Sequence, residues 1–195
     1  MKTNPAPLHP PVDRQRRRVL RHTLAGVGST ALVASGLAAC TGSGPEPLRL
    51  ATLAEAEQEL ERLSAAKGLT SSATWNWAQT LTHCAQSIEY AMSGYPQARS
   101  ALFQRTLGAA AFGVFSWRGR MSHDLAEPIP GAPALPSPGD AAAALARVRA
   151  AITAFRAWKG PLQPHFAYGA LDHAAYERAH AMHLAEHLGQ FRGQG

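Results

Sequence analysis

The chain has 195 residues, of which 46% are hydrophobic, enough to bury the core of one ordinary domain without covalent staples. Its formal charge of +6 is local. Lys2, Arg14, Arg16, Arg17, Arg18 and Arg21 stand against Asp13 alone in the first 39 residues, and the remainder holds 13 basic and 12 acidic residues, which excludes a nucleic-acid footprint on the fold itself.

In chain order, residues 1–39 predict a removable export leader. Arg16-Arg17-Arg18-Val19-Leu20-Arg21 resembles the twin-arginine motif. The weakly apolar run Thr23 to Leu37 is diluted by Gly26, Gly28 and Gly36, and is too short and glycine-rich for a transmembrane helix. Leu37-Ala38-Ala39-Cys40 resembles a lipobox, which makes Cys40 the expected site of lipidation. The expectation is an exported bacterial lipoprotein on the periplasmic side, joined to the membrane through a lipid at Cys40. Residues 40–51 are then a tether, opened by Thr41-Gly42-Ser43-Gly44-Pro45, and 52–195 the folded domain. With Cys40 consumed, Cys84 has no partner for an intrachain disulfide. Twin-arginine export carries folded proteins, a common need of those that receive a cofactor before export.

Five helical segments are expected beyond the tether. The first runs from Leu53 to Ala66, capped by Thr52, with Leu53, Ala56, Leu60 and Leu63 as its apolar stripe and Lys67-Gly68 as its stop. The second runs from Thr74 or Trp75 to Met92. Residues 98–115 are helix-compatible, with Gly108 and Gly113 against continuity. Five prolines between Ser122 and Gly139 make a loop. Asp140 caps a helix to Trp158, and the last helix spans Asp172 to Phe191. No run has a convincing strand period. The fold class is therefore all-α, an antiparallel four-helix bundle with an additional N-terminal helix.

Histidines are the chemistry-bearing residues. At about 100° per residue, His173, His180, His183 and His187 share a stripe roughly 80° wide with Tyr176, Leu184 and Phe191, so imidazoles are expected to face inward. His183 and His187, four apart, reach one side of their helix, the spacing of helical metal sites. His83, in the middle of the second helix, is the best third ligand, with Gln79, Gln86, Ser87 and Tyr90 as a polar lining. A histidine-lined core without metal is the alternative that spacing leaves open. Cys84 and the tryptophans Trp75, Trp77, Trp117 and Trp158 read as packing residues, and His123 and His165 as loop histidines, solvent-exposed by default, with lining a pocket mouth as the alternative for each.

Three blocks carry a resemblance: Trp75 through Tyr90; Ser122-His123-Asp124-Leu125 with Ile129-Pro130-Gly131-Ala132-Pro133; and His165 through Leu171 followed by His180 through Leu188. Together they resemble an uncharacterised branch of the DinB/YfiT-like superfamily, a domain of unknown function. The resemblance implies a four-helix bundle holding a divalent ion (zinc, nickel or iron) through His83, His183 and His187, with His180 behind them or lining a pocket. Characterised relatives include thiol-dependent transferases and a maleylpyruvate isomerase. Export separates this chain from cytosolic thiols, so the resemblance speaks to fold and metal more than to reaction. The expected function is a metal-dependent hydrolase or transferase acting on a small molecule, with Glu89, Gln86 and Tyr90 as polar helpers. The alternatives are a non-catalytic metal- or ligand-binding lipoprotein and a metal-free scaffold. A homodimer is a possible assembly.

Overall fold

The structure, a computed structural model, describes residues 46–194. The leader expected over 1–39, and Cys40 with the first part of the tether, lie outside the described residues. The described chain is mostly helical, with one two-stranded antiparallel sheet. Residues 46–51, expected as tether, pack on the domain: Leu50 is buried in the core and Leu48 lies against it.

Helix α1, Leu53–Ala65, starts where Thr52 Oγ1 accepts the Glu55 N–H and the Glu55 carboxylate accepts the Ala51 N–H. Helix α2, Trp77–Ser93, begins two or three residues later than its sequence suggests, because Asn76 and Gln79 form a reciprocal capping box. Asp140 and Asp172 cap α4, Ala141–Ala157, and α5, His173–Leu188, as expected.

Residues 101–118 form a third helical run, α3. It consists of an α-turn Ala101–Phe103, a π-turn Gln104–Gly108 and an α-helix Ala109–Arg118. Gly108 does not interrupt it. A Cβ at Gly108 would lie 1.9 Å from the Ala167 carbonyl oxygen, so the glycine lets the 165–169 turn press onto the helix. The π-turn aims Gln104 at that turn, where its Nε2 donates to the His165 and Phe166 carbonyls.

The core lies among α1, α2, α4 and α5, and its largest fully buried side chains include Phe155, Tyr176 and Leu60. Each such burial is worth about 1.5–3 kcal/mol. The expectation of α1 as an addition to the bundle is thus corrected. Its Leu53, Ala56, Leu60 and Leu63 are all buried, whereas α3 buries only Gly108. Arg147 pairs with Glu89, Arg156 with Glu57 and Arg149 with Glu61, binding α4 to α2 and α1 at the surface.

Strands β1, Lys67–Ser71, and β2, Phe191–Gln194, were not expected. Each is too short to alternate visibly, and each is ordered by the other, through the pairs Lys67↔Gln194, Thr70↔Arg192 and Ser71↔Phe191. Helix α5 therefore stops at Leu188, and Phe191 packs edge-on to Trp77 from the sheet. His173 also leaves the inward stripe. It is the exposed first residue of α5, stacked on Phe155, with Nε2 donating to the Phe155 carbonyl.

The proline-rich loop is fastened along α2: Asn76 Nδ2 donates to the Pro138 carbonyl and Gln86 Nε2 to that of Pro133. Met121 and Ile129 turn into the protein, and the loop's start passes over α5.

Candidate metal centre

Helix α2 presents His83, and one face of α5 presents His183 and His187. Their rings meet where the two helices face each other, with ring centroids 4.7–5.0 Å apart. His83 Nε2 lies 3.1 Å from His183 Nε2. The three residues picked out by spacing are thus brought together.

The structure adds a fourth. His123, expected in solvent, enters from the proline-rich loop with Nε2 3.2 Å from His187 Nε2. One ring nitrogen from each of His83, His123, His183 and His187 falls within 4.8 Å of the others, so the four could hold a metal ion. Glu186 fixes the loop residue twice: its carboxylate accepts the His123 backbone N–H at 3.0 Å and Nδ1–H at 2.7 Å. That tautomer leaves the Nε2 lone pair free toward the cluster. Sequence spacing cannot show this contact, which spans 63 residues. The available signals were a histidine beside Asp124 in a proline-rich loop and a glutamate next to His187.

The electrostatics favour neutral imidazoles. Burial, aided by the neighbouring His123, pushes His83 down to about 3. Burial with His83 and His123 pushes His187 to about 2, and burial with four surrounding histidines holds His183 well below the ordinary range. Neutral rings keep the lone pairs that a cation needs. His83 Nδ1 is buried without a hydrogen-bond partner among the described residues. Trp75, expected as packing, lies across the cluster. It is parallel to His187 with centroids 5.9 Å apart and tilted on His83 at 4.8 Å.

His83, His123 and His183 also form part of the wall of a cavity of about 200 Å³. Phe103, Ile129, Phe166 and Tyr168 give it an apolar body, while Arg99 and Glu127 are the charged residues of its lining. His165 is not exposed. It is buried, and its Nδ1 accepts the Ala167 and Tyr168 backbone N–H groups, which leaves the proton on Nε2. His180 lines the cavity as the resemblance implies; its buried Nε2 has no partner among the described residues. The proposed helpers lie elsewhere. Glu89 is bound to Arg147, Gln86 holds the proline loop, and Tyr90 packs against Tyr95. Cys84 is fully buried and is not in the cluster, and burial raises its thiol to about 12.

Burial lowers His165 and His180 to about 3, whereas an unfolded histidine titrates near 6.5. Between these values the unfolded chain binds more protons. The stability these neutral rings allow is therefore complete above about pH 6.5 and is lost as pH falls toward about 3. Urea midpoints of metal-stripped protein are expected to fall steadily across that window. Flat midpoints from pH 7 to 4 would contradict it.

A family model described as "Protein of unknown function (DUF1569)" matches residues 43–194, and the chain belongs to that family. No curated protein and no solved structure matches the chain.

Proposed function

We propose, for this member of the DUF1569 family, that His83, His183 and His187 hold one divalent ion, with His123 as a fourth imidazole, and that the ion serves a small molecule admitted through the adjoining cavity. The observation behind this is the convergence of four ring nitrogens within 4.8 Å at a cavity wall. Bound there, the ion would act as a Lewis acid or activate a nucleophile, the chemistry of a hydrolase or transferase. The chain's own part is to keep the imidazoles of His83, His183 and His187 neutral, to orient His123 through Glu186, and to exclude water with the apolar cavity wall. Four imidazoles fill a tetrahedral zinc ion but leave positions open on six-coordinate nickel or iron. The identity of the metal therefore separates catalysis from the second reading, a non-catalytic metal- or ligand-binding protein.

The arrangement of α1, α2, α4 and α5 supports reading the domain as a DinB-like antiparallel four-helix bundle with α3 at its side. The leader motifs support export and a lipid anchor at Cys40.

Elemental analysis of untagged protein tests the metal. Close to one equivalent of zinc, nickel or iron is expected; less than about a tenth, unrestored by added metal, would sink the proposal. Glu186→Gln is expected to weaken binding by about 10–100-fold, the usual cost of losing the partner behind a ligand histidine. His123→Ala is expected to weaken it as well, while leaving the three helical histidines in place.

A further inference from the structure

Helix α3 buries less of itself than the other described helices, only Gly108 being buried. Four of its apolar side chains stand in solvent: Leu102 is 75% exposed, Leu107 67%, Val114 49% and Trp117 87%. Single exposed apolar residues are ordinary, but four on one helix make a surface that calls for an occupant. Its opposite side explains why it cannot turn inward. Phe112 and Phe115 pack on Tyr168, and Gly108 is pressed against Ala167.

Charge narrows the choice of occupant. From residue 90 to residue 123 there is no aspartate or glutamate, while Arg99, Arg105, Arg118 and Arg120 lie within that span. An apolar helix with arginines and a terminal tryptophan has the composition of helices that lie in an anionic bilayer surface. Chain connectivity agrees. Arg49 Nη1 donates to the Arg118 carbonyl at 2.6 Å, which places the start of the domain at the Trp117 end of α3. Cys40 is nine residues before Arg49, at most about 30 Å of extended chain. A lipid at Cys40 would therefore keep that end of the helix close to the headgroups.

We infer that α3 docks on the surface of an anionic membrane beside the lipid anchor, with Leu102, Leu107, Val114 and Trp117 entering the interface and Arg105 and Arg118 meeting the headgroups. This rests on the anchor proposed at Cys40 and is independent of the metal.

The test uses residues 44–195, a compact unit holding every buried core residue and neither leader nor Cys40. The protein is sedimented with vesicles of phosphatidylglycerol and phosphatidylethanolamine at low salt. It is expected to co-sediment, to bind phosphatidylcholine vesicles less, and to be released by added salt. Leu107→Ser combined with Trp117→Ser should lower the bound fraction by at least about tenfold at an unchanged melting temperature, because both side chains are exposed. Equal binding by the double variant would overturn the inference. So would a concentration-dependent dimer that the same substitutions abolish, which would assign the face to a second copy. The anchor is tested separately by labelling the full chain with radioactive palmitate. Failure to label, or label retained in Cys40→Ala, would overturn the anchored arrangement whatever the vesicles show, and metal content would be unaffected in either case.

Discussion

His183→Ala is expected to lower metal affinity by at least about 100-fold, beyond the 10–100-fold loss typical when only the partner behind a ligand is removed. His183, like His187, meets all the others: its ring centroid is within 5.3 Å of those of His83, His123 and His187, and that of His187 is within 5.2 Å of those of His83, His123 and His183. Alanine is the best helix former, so α5 should persist, and removing one desolvated imidazole does not break a core contact of the apolar cluster. The variant should therefore fold and fail to load. Thermal melts read the difference directly. Wild-type protein gains about 4 kcal/mol from metal at a thousand times the dissociation constant, and the variant should gain almost nothing at the same concentration. A variant with wild-type metal content would refute the assignment of this residue.

The second large effect concerns a residue with no side chain. Gly108→Ala is expected to destabilise the protein by about 2–3 kcal/mol, the upper range for forcing one extra carbon into a packed site. The clash is with backbone: the new Cβ would sit 1.9 Å from the Ala167 oxygen and 3.0 Å from its carbon. Either α3 or the 165–169 turn must move, and the turn supplies Phe166, Ala167 and Tyr168 to the cavity wall. Ligand access should change along with stability. Gly113→Ala is the control. Among the described residues nothing lies within 4 Å of its Cβ position, so helix propensity alone should stabilise that variant, by up to about 1 kcal/mol. Urea denaturation of the pair decides the matter: similar midpoints would mean that the close approach at Gly108 is unimportant.

Helix identities were legible in the sequence because caps and stops are local. Thr52, Asp140 and Asp172 declare their helices through side chains that reach the next turn. The meeting of His83 with His183 and His187 was legible for a related reason: a helical spacing of four fixes one pair, and a polar face on a neighbouring helix proposes its complement. His123 and the sheet were not, because both depend on partners distant in sequence. His123 is placed by Glu186 across 63 residues, and β1 is a strand only because β2 returns beside it. The place of α3 was hidden differently. Its composition is apolar on all sides, so periodicity could not say which residues, Phe112 or Trp117, would be covered. The inward reading of His173 failed because it assumed that the whole helix is covered, whereas its first residue lies at an exposed end.

The indole of Trp75, lying parallel to the His187 ring at 6° with centroids 5.9 Å apart, gives the protein an optical property of its own. An open-shell ion such as nickel(II) or iron(II) on that imidazole would drain the indole's excited state, whereas closed-shell zinc would leave it emitting. Tryptophan fluorescence of unlabelled protein should then dim as nickel is added and hold nearly steady with zinc. Trp75→Phe should abolish the contrast. The same ring that roofs the histidines would report which element has arrived.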